Sequence, residues 1–194
     1  MEDCKNKILI VTSSKKKFSD LSTLLKYSSE RIDLDVQEIQ GSSHDIVLHK
    51  LLEAQKQIGK NFILVDDTSF LLEGLYGFPA QYGKSFLDMD PEKIEDVLSK
   101  IGRRVELKSY IGFYFDGKTK IFESSIKGTI IEIKHQPCNV YAYMDNRFVP
   151  DGCSVPFPMA DKYDLHKYNI RLGSIGKLNN FIDENPEIKK KLIK

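Results

Sequence analysis

Short apolar runs and amphipathic stretches alternate along the first half of the chain, which predicts strand and helix in turn. Lys7 to Val11 has strand length, and Thr12-Ser13-Ser14 then supplies hydroxyls to cap a helix whose apolar positions Phe18, Leu21, Leu24 and Leu25 recur at helical spacing. Leu34 to Ile39 reads as a second short strand, with Glu38 near its end and Gly41-Ser42-Ser43 as turn and cap. Ile46 to Ile58 predicts an amphipathic helix with Lys50 at the edge of its apolar stripe. Phe62 to Val65 suits a buried strand that ends at two adjacent carboxylates, Asp66 and Asp67. Thr68 and Ser69 follow as caps for a short helix, and Gly74, Gly77 and Pro79 break the next segment into a loop.

The second half is patterned differently. Pro91 to Ile101 predicts a helix with proline at its start and Gly102 beyond its end. Val105 to Phe115 reads as a long strand, Asp116-Gly117 as a hairpin turn, and Thr119 to Ile133 as one or two return strands broken at Gly128. From His135 to Asp161, prolines and aromatics replace periodicity, as in a long ordered loop, and Leu172 to Ile182 is a last core helix before a charged terminal turn or helix. A βαβ opening followed by hairpins predicts an α/β fold built on a mixed sheet with helices on its faces.

Composition narrows the functional classes. At 194 residues the chain supports one well-buried domain. Its 29 Lys and Arg nearly balance 28 Asp and Glu, so no global field gathers nucleic acid or anionic membrane, and any phosphate site must be local. Three scattered cysteines, Cys4, Cys138 and Cys153, fit free thiols in a reducing compartment. The polar N-terminus and short apolar run fit neither signal peptide nor membrane span, so a soluble cytoplasmic protein is expected.

Two groups of residues carry candidate chemistry. The acids Glu38, Asp66 and Asp67 are expected near strand ends, where ligands bind in α/β sheets, and Lys17, Lys50 and Lys84 lie nearby in the predicted elements. Magnesium takes one or two carboxylates with phosphate oxygens and water, lysines offset phosphate charge, and a further carboxylate can activate water. Lys15, Lys16 and Lys17 fall in the first turn of a predicted helix, where the helix dipole disfavours cations unless an anion such as phosphate is bound. Taken singly, these residues read more simply as solvated surface charges.

The ordered motifs resemble those of the Ham1-like family of nucleoside triphosphate pyrophosphohydrolases, the inosine triphosphatases. VTSSKKKF resembles the family's T-G-N-x-x-K turn, DVQEIQG its L-P-E-x-Q-G segment, and HKLLEA the helix that follows. VDDTSFLLEGLYGFPAQYGKSF is similar to V-E-D-T/S-x-L-x-x-x-x-L-x-G-x-P-G-x-Y-x-K-x-F, and IKGTI and FVPDG resemble later landmarks in the same order. The implied fold is a long curved mixed sheet with helices on both faces, forming two lobes around a central cleft in a single domain over residues 1–194. The implied reaction is Mg²⁺-dependent hydrolysis of a nucleoside triphosphate, ITP, dITP or XTP above all, to the monophosphate and pyrophosphate, with Mn²⁺ a possible substitute and a homodimer the usual assembly.

By position, the resemblance implies that Thr12, Ser13, Ser14, Lys15, Lys16 and Lys17 cradle the triphosphate, with Lys17 reaching into the reaction. Glu38 would bind metal, and Asp67 with Asp66 would bind metal and activate water. Lys50, Lys84 and Thr68 would contact or orient the nucleotide. Three departures bear on specificity. Ser13 and Ser14 stand for Gly and Asn, Ala142-Tyr143-Met144-Asp145 stands for F-G-W/Y-D, and HKYNIRLGSIGKL has no clean S-H-R. Tyr143 with Asp145, and Lys167 or Arg171, are the candidates to meet the base. The departures leave open altered base specificity, or a catalytically weak nucleotide-binding or protein-interaction module on the same fold. A phosphatase acting on non-nucleotide monoesters would share the acids but release no pyrophosphate.

Overall fold

A computed structural model of the chain describes residues 6–37, 39–132, 147–156 and 167–193. Among them seven strands form one mixed sheet in the order β2-β1-β3-β5-β6-β7, with β4 paired to β3. The strands are β1 (Ile8–Val11), β2 (Ser29–Ile32), β3 (Ile63–Leu72), β4 (Pro79–Ala80), β5 (Arg104–Phe115), β6 (Lys118–Ile130) and β7 (Phe148–Pro150). The helices are α1 (Lys15–Leu24), α2 (Ser43–Ile58), α3 (Gly83–Leu87), α4 (Pro91–Ile101), α5 (Leu172–Asp183) and α6 (Pro186–Ile193). No helix among the described residues is long and apolar enough to cross a membrane.

The chain divides into two compact units. The first comprises residues 1–67, 109–124 and 171–194. Here β1 pairs in parallel with both β2 and β3, and strand alternation sorts side chains into two cores. Ile8, Ile10, Phe62, Leu64, Ile111 and Phe113 pack with Leu21 of α1, Ile175, Leu178 and Ile182 of α5, and Leu192 of α6. Val11, Ile63, Val65 and Tyr110 instead pack with Val47, Leu51 and Ala54 of α2. That second core is close: a Cβ on Gly112 of β5 would lie 2.7 Å from Val47 Cγ1 and 3.0 Å from Val65 Cγ2.

The second unit comprises residues 68–108 and 125–170, and its core gathers Phe70, Leu72, Phe86, Ile94, Leu98, Val105, Ile130 and Phe148. Asp90 caps α4 by accepting from the Glu92 amide, Pro91 follows at the first helical position, and Gly102 ends the helix. The predicted boundaries of this helix hold. So does the hairpin turn, where Asp116 and Gly117 both take positive φ, 46° and 77°, as a two-residue turn matched to strand twist requires.

Four expectations are corrected. The second strand is Ser29–Ile32, not Leu34 to Ile39: backbone pairing to β1 defines it, while Leu34 and Val36 pack against the α2 core without strand pairing. The third strand does not stop at Asp66 and Asp67 but runs to Leu72, so Thr68 and Ser69 are strand residues and cap no helix. β6 passes through Gly128 unbroken; a Cβ there would sit 2.3 Å from the Val149 carbonyl oxygen, so the glycine admits β7 at close range. Inside the expected loop, Phe148–Pro150 forms β7, with Pro150 tolerated because this strand lies at the sheet edge.

Candidate active site

The turn before α1 is capped as its hydroxyls predict. Ser14 is the N-cap of α1, with its Oγ accepting from the Lys17 amide at 3.2 Å, and the Ser14 amide donates to Thr12 Oγ1 at 3.1 Å. Arg31 of β2 donates to the Ser13 carbonyl at 3.1 Å and the Thr12 carbonyl at 3.4 Å, and itself pairs with Asp33 at 3.1 Å. This side chain holds the turn where the resembling motif carries Gly-Asn, and local sequence gave no sign of it. The first turn of α1 contains no acid, so its amide dipoles and the lysines Lys15, Lys16 and Lys17 make the local potential positive, which favours an anion.

Because β3 continues through them, Asp66 and Asp67 point to opposite faces of the strand. Asp66 follows Leu64 onto the face of α1 and α5, and Asp67 follows Val65 onto the face of α2. Each has its own nearest cations, and the charge of Lys17 reaches both. Arg171, just before α5, donates from Nε to Asp66 Oδ1 at 3.0 Å and from a terminal nitrogen to Oδ2 at 2.9 Å. Lys17 Nζ lies 3.3 Å from the same Oδ2, and the third Arg171 nitrogen faces Asp20 at 3.6 Å. On the other face Lys50 Nζ donates to Asp67 Oδ1 at 3.0 Å, with both side chains about seven-eighths buried (13% and 14% exposed).

The two carboxylates therefore differ chemically. Burial is the strongest influence on Asp66 and pushes its pKa up, but Arg171 and Lys17 outweigh it and hold the carboxyl down at about 2. Asp66 is a fixed anion with both oxygens engaged. For Asp67 burial again dominates, and the opposing charge of Lys50 does not fully offset it, so the carboxyl sits above its ordinary range. A carboxylate raised in this way is a stronger base toward the proton of a water than an ordinary one.

As a metal site this donor set is economical. No cluster of three or more His, Cys, Asp or Glu occurs among the described residues. Asp66 and Asp67 lie on opposite faces and do not converge on one ion, and the oxygens of Asp66 are already engaged by Arg171 and Lys17. Asp67 remains the described carboxylate suited to a hard cation, which fits Mg²⁺, an ion that uses one or two carboxylates and draws its other ligands from substrate and water.

The first unit thus holds two groups, Thr12, Ser14 and Lys17 with Asp66 and Arg171, and Lys50 with Asp67 on the other face of β3. Thr68, Lys84 and Lys167 belong to the second unit, Lys84 exposed on α3 and Lys167 exposed with its ammonium 5.3 Å from the Tyr168 ring. Glu38, Tyr143 and Asp145 lie outside the described residues. Asp20 and Arg31 were missed by sequence reading. Asp20 carried a usable sign, since it follows Lys17 by one helical turn on α1.

Comparison with known proteins agrees with this architecture. The chain is 36% identical over 152 residues to an inosine triphosphate pyrophosphatase of Encephalitozoon intestinalis, covering 75% of this chain and 77% of that protein. It is 25% identical over 170 residues to a dITP/XTP pyrophosphatase of Hyperthermus butylicus, covering 84% and 88%. The fold matches the Staphylococcus aureus Ham1 protein with a TM-score of 0.71 at 23% identity over 91% of this chain and 98% of that one. A HAM1 protein from Coxiella burnetii gives a TM-score of 0.75 at 16% identity over 92% and 98%. The Ham1 family model itself matches residues 8–181, and the chain belongs to the Ham1 family.

Proposed function

We propose that this protein hydrolyses deaminated purine nucleoside triphosphates, ITP, dITP and XTP, to the monophosphate and pyrophosphate. The observation that carries the reading is the split carboxylate pair of β3, one acid fixed as an anion beside Lys17 and the other raised and paired to Lys50. The names of the relatives supply the substrate class.

In this reading the α1 N-terminus and Lys15, Lys16 and Lys17 bind the triphosphate, with backbone amides and ammonium groups meeting the phosphate oxygens. Asp67 and Glu38 would hold Mg²⁺, which would supply positive charge to offset that developing on the phosphates. The Asp67 carboxylate orients a water and takes its proton as the water oxygen attacks the α-phosphorus; the bond from that phosphorus to the oxygen bridging the α and β phosphates breaks, and pyrophosphate leaves. Lys50 keeps Asp67 ionised and limits its rotation. Asp66 holds no metal; its role is electrostatic, through Lys17. Assembly as a cytosolic homodimer belongs to the same reading and is checked by light scattering after size-exclusion chromatography.

Product chromatography after incubation with ITP and Mg²⁺ tests the proposal. Monophosphate and pyrophosphate are expected from the wild type, with loss of both in Asp67→Asn and Glu38→Gln. Inosine diphosphate and free phosphate as products would overturn it.

A further inference from the structure

Arg171 is held more firmly than the lysine it shares Asp66 with. Its fork meets both carboxylate oxygens at 3.0 and 2.9 Å, a bidentate geometry that a guanidinium makes well, and its side chain is 10% exposed. Its backbone is fixed too. The Arg171 carbonyl accepts from the Ile175 amide at 2.9 Å and from Ser174 Oγ at 3.1 Å, and that hydroxyl is bonded to buried Ser109 Oγ at 2.9 Å. Lys17 makes the longest contact to Asp66, 3.3 Å, from a side chain 36% exposed, and it starts from the cradle turn. Lys17 is therefore the member of the trio best able to move.

A buried carboxylate answered by one lysine alone would keep that lysine, because separating them leaves an uncompensated charge. With the arginine fork already in place, that cost is largely removed. We infer that Arg171 is a positioning residue that satisfies Asp66 and so releases the Lys17 ammonium to the substrate phosphates, whatever base the nucleotide carries. The inference rests on the nucleotide-hydrolase reading above and deepens it. It assigns Arg171 to the phosphate end of the chemistry, whereas the motif comparison made it a candidate for meeting the base.

The test uses inorganic tripolyphosphate, which has no base, titrated calorimetrically with Mg²⁺ into the wild type, Arg171→Gln, Asp66→Asn and the double variant, with melting curves to verify folding. Arg171→Gln should weaken binding about tenfold, the scale of one charged hydrogen bond. Adding Asp66→Asn should bring affinity back to within about threefold of Asp66→Asn alone, because coupled sites are non-additive. In turnover, Arg171→Gln should lower kcat/KM by a common factor for ITP, XTP and ATP.

A loss that differs among the bases with tripolyphosphate binding unchanged would overturn the inference, as would a double variant no tighter than Arg171→Gln. If Arg171→Gln fails to fold, Arg171→Lys decides instead: an ammonium cannot fork across both Asp66 oxygens, so tripolyphosphate binding should weaken several-fold and recover when Asp66→Asn is added, and an unchanged affinity would overturn the inference. A wild type that binds tripolyphosphate with this pattern but cleaves no nucleotide would sink the hydrolase reading and leave the Arg171 assignment standing.

Discussion

Acid titration of stability isolates the buried ion cluster. The Asp66 carboxyl sits at about 2 in the folded protein against an ordinary value of 3.8, so the unfolded chain binds its proton first as pH falls. A depressed folded pKa contributes stability that is fully present above the unfolded value and is lost as pH drops toward the folded one. The difference of roughly 2 units corresponds to about 2 kcal/mol. About half should be gone by pH 3 and nearly all by pH 2. Asp45, Asp96, Asp151 and Asp183 are also depressed and add their own slopes, so the informative quantity is the difference from Asp66→Asn. Urea unfolding in EDTA at stepped pH from 6 to 2 should show the wild type more stable near neutrality and the gap closing by about 2 kcal/mol as acid is added. A gap that stays constant across this range would refute the reasoning, because Asp66 would then titrate alike in both states.

Other perturbations address separate links. Lys50→Met removes the nearest cation from a carboxyl already raised by burial, so the acidic limb of the kcat/KM profile should move to higher pH and activity near neutrality should fall by about tenfold or more. Gly112→Ala places a methyl 2.7 Å from Val47 Cγ1, so denaturation should show a loss of about 1–3 kcal/mol and, through displacement of α2, a lower turnover. Ser42→Ala breaks a capping box with Asp45, in which Ser42 Oγ accepts from the Asp45 amide at 3.2 Å, and should cost about 1 kcal/mol by urea unfolding.

The longer helices were legible because their signals are local, whereas the five-residue α3, which has no side-chain cap bond, was not. α1, α2 and α4 each carry a hydroxyl or carboxylate cap, apolar spacing or terminal glycine within a few residues of one another. The strand β2 was not, because SERI has no apolar alternation and is held by backbone pairing to β1. The continuation of β3 was hidden for a different reason. Two aspartates in an apolar run look like a strand end unless a cation answers each on its own face, and those cations are Lys17 with Arg171 on one side and Lys50 on the other. Arg171 lies 105 positions from Asp66, beyond the reach of any local pattern. The site's residue types and most of its lysines were therefore readable, while the division of labour between Asp66 and Asp67 required the sheet.

The most direct measurement is phosphorus NMR of the purified protein with Mg²⁺ and, in separate reactions, ITP, dITP, XTP, ATP and GTP. The account predicts resonances of monophosphate and pyrophosphate growing in equal amounts, fastest with the deaminated purines. Inorganic phosphate as the growing product, or no cleavage of any of the five, would contradict it.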